Sequence, residues 1–131
     1  MSDKELMVLS TLEDIIYSIK LIKRRFKDIK CSDDFLINDE GLDKLDSISM
    51  RLVAIGEGFK NIDKLTNKKL LNRYKTIDWR GVKGVRDILS HHYFQLDAET
   101  IYDICNDYID ELLSVSLKMS DDVKDGVVNV L

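Results

Sequence analysis

The side chains best suited to proton transfer and phosphate binding lie within eight consecutive positions of this sequence. The chain has two histidines, His91 and His92, and an imidazole titrates near neutral pH, so it can accept or donate a proton. Arg86 carries a permanent planar cation that suits phosphate oxygens, and Tyr93 follows two positions after His91. This combination indicates cleavage of a phosphodiester without a metal ion. The structural alternative is that one of the histidines caps the C-terminal end of a helix.

The spacing of these residues limits how they can work together. Arg86 and Tyr93 are seven positions apart, so a continuous helix would carry them on one face. Arg86 and His91 are five positions apart, which corresponds to about 140° at about 100° per residue. A single straight helix would therefore point these two side chains partly away from each other. Either the helix unwinds near His91, or the site combines residues from two copies of the chain.

A basic region precedes the histidines. Between Lys60 and Arg86 the chain has nine basic and two acidic residues, although its overall net charge is −4. Such a concentration in an acidic protein is typical of a surface that binds a polyanion, and its alternative is an ordinary solvated helix face. The residues predicted to bind such a polyanion are Lys60, Lys64, Lys68, Lys69, Arg73, Arg80 and Lys83.

The remaining composition narrows the class of protein. No apolar stretch approaches the roughly 18–20 residues that cross a bilayer, and the N-terminus lacks the pattern of a secretory signal, so cytoplasmic residence without membrane attachment is expected. Cys31 and Cys105 lie in no CxxC motif. They are expected to be reduced structural thiols, and no metal or cofactor is predicted.

The pattern of apolar residues predicts helices throughout. The chain has no proline and six glycines, so it contains few obligate helix breaks, and apolar residues recur at steps of three, four or seven. This predicts an all-α fold, an up-and-down antiparallel bundle of about five helices that forms a single domain over residues 1–131. The predicted helices cover about residues 3–30, 38–65, 67–75, 79–89 and 97–118.

Local signals indicate how these helices begin, end and pack. Asn38 and Asp78 are candidate N-caps of the second and fourth helices, and the small Gly56 would allow another helix to approach the second one closely. The tail after Met119 is expected to fray. The predicted buried stripe of the first helix consists of Leu6, Leu9, Ile16, Ile19, Ile22, Phe26 and Ile29.

The stretch WRGVKGVRDILSHHYFQLDAETIYDI, residues 79–104, resembles the signature region of HepT-like proteins in the HEPN superfamily. The resemblance includes Trp79 at the start of the helix, Arg86 followed by the polar Asp87, four residues between Arg86 and His91, and then Tyr93 after one residue. It extends upstream to RLVAIGEGFKNI, residues 51–62, and covers nearly the whole chain. Family members usually have a proline before the tryptophan, where this chain has Asp78.

The resemblance implies a fold, an activity and partners. It implies a helical homodimer that pairs its Arg-x4-His segments across the interface, and an RNA endonuclease that is the toxin of a bacterial toxin–antitoxin pair. Arg86 and His91 would cleave RNA, and a nucleotidyltransferase-fold antitoxin would adenylylate Tyr93. Asp87, His92 and Glu57 match supporting positions of the motif.

Two other functions fit the same sequence. The chain could be a non-catalytic subunit that binds substrate for a nucleotidyltransferase, or a structural homodimer with a charged surface. Cleavage of RNA that is lost on substitution of His91 distinguishes the ribonuclease from both.

Overall fold

A computed structural model of the chain describes residues 1–90 and 97–128. For Ser90 it describes the backbone but not the side chain. The described residues form five α-helices and no strand, which confirms the predicted all-α class. The helices are α1 (Asp3–Phe26), α2 (Asp39–Thr66), α3 (Trp79–Ser90), α4 (Ala98–Asp107) and α5 (Ile109–Lys124). Two short 3₁₀ turns, Ser32–Phe35 and Leu71–Arg73, lie on either side of α2 in the sequence.

Contacts between the helices show the antiparallel arrangement of the bundle. Arg51 of α2 donates a hydrogen bond to Ser18 of α1, whereas Asn61 donates one to Thr11, so the α1 numbers fall as the α2 numbers rise. Lys23, near the end of α1, pairs with Asp110 at the start of α5. Helix α1 is therefore antiparallel to both α2 and α5, as an up-and-down bundle requires.

Helix α1 begins where the sequence predicts, and its buried face agrees with the predicted stripe in part. Ser2 and Glu5 form a reciprocal capping box, in which the Glu5 backbone N–H donates to Ser2 Oγ at 3.1 Å. The predicted stripe is wrong at Leu6, which is 52% exposed, and at Ile16, which is half-buried. The prediction is confirmed at Ile19, Ile22 and Ile29, and the core also takes residues outside the predicted stripe, Val8, Leu12, Ile15 and Leu21.

Three predicted boundaries also need correction. Asn67 and Lys68 adopt left-handed backbone conformations (φ 51° and 64°), which end α2 and leave only the turn Leu71–Arg73 where a helix over 67–75 is predicted. The predicted last helix is interrupted at Tyr108 and forms α4 and α5. Helix α5 continues to Lys124 with Met119 and Val123 buried, so the tail does not fray at Met119.

None of the helices in the described part of the chain is long and apolar enough to cross a bilayer.

Candidate active site

The start of α3 is held by short-range and long-range contacts. Asp78 caps it, since its Oδ1 accepts a hydrogen bond from the Gly81 N–H at 3.1 Å. This is the function that we expect of Asp78 where family members have proline. The Trp79 ring packs against Phe59 of α2 with ring centroids 4.8 Å apart, and its Nε1–H donates to the Tyr74 carbonyl at 2.9 Å. These contacts fix the first turn of α3 against α2.

Tyr74 extends this anchor to α5. Its buried hydroxyl donates a hydrogen bond of 2.7 Å to the carboxylate of Asp122. The hydrogen bond holds the pKa of Asp122 below its usual value, and burial together with this bond raises the pKa of Tyr74 above its own. Helix α3 is thus tied to α5 through Tyr74 and to α2 through the contact of Trp79 with Phe59.

Gly56 allows α3 to approach α2 closely, as the sequence predicts. A Cβ atom at this position would lie 2.8 Å from the Val82 carbonyl oxygen and 3.1 Å from Val85 Cγ1. Because the first of these atoms belongs to the α3 backbone, any larger residue would push the helices apart. The next residue, Glu57, therefore lies where α2 and α3 are in contact, and its side chain can reach α3.

Arg86 and Glu57 meet across this contact. Arg86 Nη1 donates a hydrogen bond to Glu57 Oε1 at 3.2 Å, with 57% of the arginine side chain and 40% of the glutamate side chain exposed. Lys60 Nζ lies 3.6 Å from the same oxygen. The carboxylate of Glu57 therefore contacts both Lys60 on its own helix and the predicted catalytic Arg86 on α3. Lys60 and Arg86 are 26 positions apart in the sequence.

A second ion pair crosses the same two helices. Lys83 of α3 donates to the carboxylate of Asp63 on α2, which is buried at 7% exposure. The sequence identifies Asp63 only as one of two acids in the basic region. The signal for its contact is its spacing, since it lies seven positions after Gly56 and so on the same face of α2. Together the two pairs show that α2 and α3 are antiparallel.

The other basic residues of the region remain open to solvent. Within the described part of the chain, none of them has a carboxylate within 4 Å. Lys68 and Lys69 project from the turn that ends α2, while Lys64 lies one turn after Lys60 on the helix. The exposed set consists of Lys64, Lys68, Lys69, Arg73, Lys75 and Arg80. Among the described residues the basic region thus contains six exposed cations without a carboxylate partner and three that have one, Lys60, Lys83 and Arg86.

Only part of the predicted catalytic set can be located. Arg86 and Asp87 are exposed on α3, which ends at Ser90. His91, His92 and Tyr93 lie outside the described residues. In residues 1–90 and 97–128, no three His, Cys, Asp or Glu side chains converge as a metal site would require.

Comparison with known proteins gives the family. A sequence profile of the family described as Ribonuclease HepT-like matches residues 15–119. The chain belongs to this family. The resemblance on which the sequence-based prediction rests is therefore confirmed, and α2, α3 and the Arg86–Glu57 contact all lie inside the matched part of this HepT-like chain.

Two relatives of this HepT-like chain come from Methanocaldococcus jannaschii. The protein named "Putative RNase MJ0127" is 40% identical over 53 residues, which is 40% of either chain. The protein named "Gamma-glutamylcyclotransferase and putative RNase MJ0434" is 30% identical over 112 residues, which covers 86% of this chain and 47% of the relative. The chain thus spans less than half the length of either relative. No solved structure is significantly similar to it.

Proposed function

We propose that this HepT-like protein is a metal-independent RNA endonuclease, formed by one domain over residues 1–131, and that it is the toxin of a toxin–antitoxin pair. The observation that carries the proposal is the exposed guanidinium of Arg86, which Glu57 holds beside a basic surface in a chain of a ribonuclease family. The exposed lysines and arginines would bind the RNA backbone through its phosphates, without sequence preference.

The reaction is an internal transesterification. His91 removes the proton of a ribose 2′-hydroxyl, and the 2′-oxygen attacks the adjacent phosphorus while the bond to the 5′-oxygen breaks. A protonated imidazole, from His91 of the second copy, delivers a proton to that leaving oxygen. The products are a 2′,3′-cyclic phosphate and a free 5′-hydroxyl. Arg86 stabilises the additional negative charge of the pentacoordinate transition state.

The proposed site is shared by two copies of the chain. The support for a homodimer is the five-residue offset between Arg86 and His91, which a straight helix separates by about 140°. Two copies that present their α3 helices to each other would bring an arginine of one copy near a histidine of the other.

The proposed partner is a nucleotidyltransferase-fold antitoxin that adenylylates Tyr93. Tyr93 lies two positions after His91, so an added nucleotide would bring bulk and a negative charge to the catalytic residues and repel RNA. Asp87 and His92 complete the motif as supporting residues.

The proposed reaction predicts which nucleic acids the protein cleaves. In the presence of EDTA the purified protein should cut single-stranded RNA and leave the matching DNA intact, because DNA lacks the 2′-hydroxyl that attacks phosphorus. Gel analysis of end-labelled oligonucleotides with an identical sequence measures both, and the RNA products should end in a cyclic phosphate. Activity that disappears with EDTA and returns with a divalent ion would contradict the metal-independent mechanism. Intact RNA, with binding alone, would favour the non-catalytic substrate-binding subunit.

The exposed cations predict the salt dependence of RNA binding. Reversal of charge at Lys68, Lys69 and Arg73 should weaken binding and lower the slope of log affinity against log salt by about 2, at about 0.7 per phosphate contact on a single strand. Fluorescence anisotropy with a labelled oligonucleotide at several salt concentrations measures the slope.

A matched control for that experiment lies at the other side of the bundle. Lys20 and Arg24 are exposed residues near the C-terminal end of α1, and Lys27 is exposed directly after it. Reversal of these three charges changes the net charge by the same amount. This control should alter the slope much less. Equal effects of the two triple variants would show that total charge governs binding, and that the basic region has no special part in it.

A further inference from the structure

We infer that Glu57 is a positioning residue. Its carboxylate holds Arg86 of α3 beside Lys60 of α2, and the two cations together form a binding site for the scissile phosphate. The inference rests on the proposed function for the identity of that phosphate. Glu57 then contributes to the reaction by positioning Arg86, and Lys60 joins the residues that contact the reacting phosphate.

The geometry supports a joint site because a single oxygen connects both cations. Glu57 Oε1 lies 3.2 Å from Arg86 Nη1 and 3.6 Å from Lys60 Nζ. The two nitrogens are therefore at most about 7 Å apart, the sum of the two distances, and one phosphate can bridge them through two of its oxygens. The three side chains have a net charge of +1, so the cluster still attracts an anion.

The contact leaves most of the Arg86 donors available. A guanidinium has five N–H donors in a planar fork, and within the described residues only Nη1 donates a hydrogen bond. The edge formed by Nε and Nη2 has no partner among residues 1–90 and 97–128, and its shape suits two parallel hydrogen bonds to phosphate oxygens. With 57% of its side chain exposed, Arg86 can meet RNA without first leaving Glu57.

An exposed arginine needs such a tether if it is to act on a transition state. Its long side chain samples many rotamers in water, and a misplacement of about 1 Å at a reacting centre can reduce the rate by about 100-fold. Glu57 is itself well placed to restrict Arg86, because Gly56 next to it lies where the backbones of α2 and α3 approach closely. The tether has an electrostatic cost, since the carboxylate also repels RNA.

These opposing effects give the inference a kinetic signature. Glu57→Gln should reduce kcat about 10- to 100-fold, while KM stays the same or falls because a negative charge has been removed. In an Arg86→Ala background the same substitution should have no further effect on kcat, since Glu57 acts through Arg86. Loss of kcat of equal size in both backgrounds, or an unchanged kcat, would overturn the inference.

A matched control lies on the same helix. Glu40, in the first turn of α2, forms an ion pair with Lys44 at 3.7 Å. Glu40→Gln removes an exposed acid from a comparable pair away from α3, and should leave kcat unchanged. A similar loss of kcat in this variant would show that the Glu57 effect comes from the general stability of α2.

A measurement without cleavage separates this inference from the proposed function. The ¹⁵N-labelled Arg86 side chain should give a sharp Nε–H NMR signal that shifts on addition of inorganic phosphate. Glu57→Gln or Glu57→Ala should make the Arg86 side chain more mobile, which lowers the heteronuclear NOE of its Nε–H group. The same substitutions should weaken the phosphate-dependent shift. An Arg86 signal with the same mobility in all three proteins would exclude positioning by Glu57. A protein that shows this NMR result but cuts no RNA would disprove the endonuclease function and leave the tether in place.

Discussion

Replacing His91 with alanine should reduce the rate of RNA cleavage by roughly 10²- to 10⁴-fold, the usual contribution of a positioned general acid or base. In the proposed dimer each histidine performs one of the two proton transfers, so the substitution removes both at once. Binding of the uncleaved RNA should change much less than the rate, because the exposed lysines and arginines provide most of the charge that binds the RNA backbone. Single-turnover cleavage and anisotropy measure the two quantities on the same oligonucleotide.

His92→Ala is the matched control, since it removes the same side chain one position further along the sequence. It should retain most of the activity. A larger loss from His92→Ala than from His91→Ala would shift the acid–base function to His92. Full activity in both variants would eliminate histidine catalysis altogether.

Arg86→Ala should reduce kcat by about 10²- to 10³-fold, as removal of a donor that stabilises transition-state charge does elsewhere. Arg86→Lys should recover only part of this loss, because an ammonium group lacks the planar pair of donors that matches two phosphate oxygens. The stability of the fold should hardly change, since the pair with Glu57 is exposed and such pairs contribute little. Single-turnover rates and thermal unfolding measure these effects.

Arg80→Ala provides the corresponding control on α3. Arg80 is also exposed, and it lies six positions before Arg86. Its removal should weaken RNA binding, while bound RNA should be cleaved at nearly the rate of the original protein. An Arg86→Ala variant that only raises KM would assign Arg86 to ordinary binding, and the transition-state function would then be wrong.

The local features of this fold are readable from sequence because they depend on neighbouring residues. The caps at Asn38 and Asp78 each satisfy a backbone N–H three positions ahead, and both form as the sequence predicts. Gly56 at a close helix contact is equally accessible to prediction, because a glycine on an apolar helix face has few other purposes.

Features that depend on packing between distant segments were not predicted. Helix α1 carries apolar residues on two faces, and periodicity alone does not show which face the other helices cover, so Leu6 was expected in the core. The break at Tyr108 has neither glycine nor proline to mark it. The end of α2 depends on Asn67 and Lys68 in left-handed conformations, which asparagine tolerates more readily than lysine.

In the candidate site, too, the motif can be predicted from the sequence, whereas the contacts between distant residues cannot. The sequence indicates a basic region and the Arg-x4-His motif, but it does not show which cations have partners. The pairing of Arg86 with Glu57 spans 29 positions and that of Lys83 with Asp63 spans 20, and both depend on the distance that Gly56 permits between two helices. A count of charges therefore treats Lys83 like Lys68, although only Lys68 is exposed.

The pair of Lys83 and Asp63 restricts how this chain can diverge during evolution. Loss of Lys83 alone would leave the buried carboxylate uncompensated, at a cost of about 3 kcal/mol, a substantial part of the roughly 5–15 kcal/mol that stabilises a domain. Replacement of both by apolar residues of similar volume avoids that cost. The two positions are thus coupled, and the order of substitution matters: replacing Asp63 first leaves a lysine that is 27% exposed and can remain solvated.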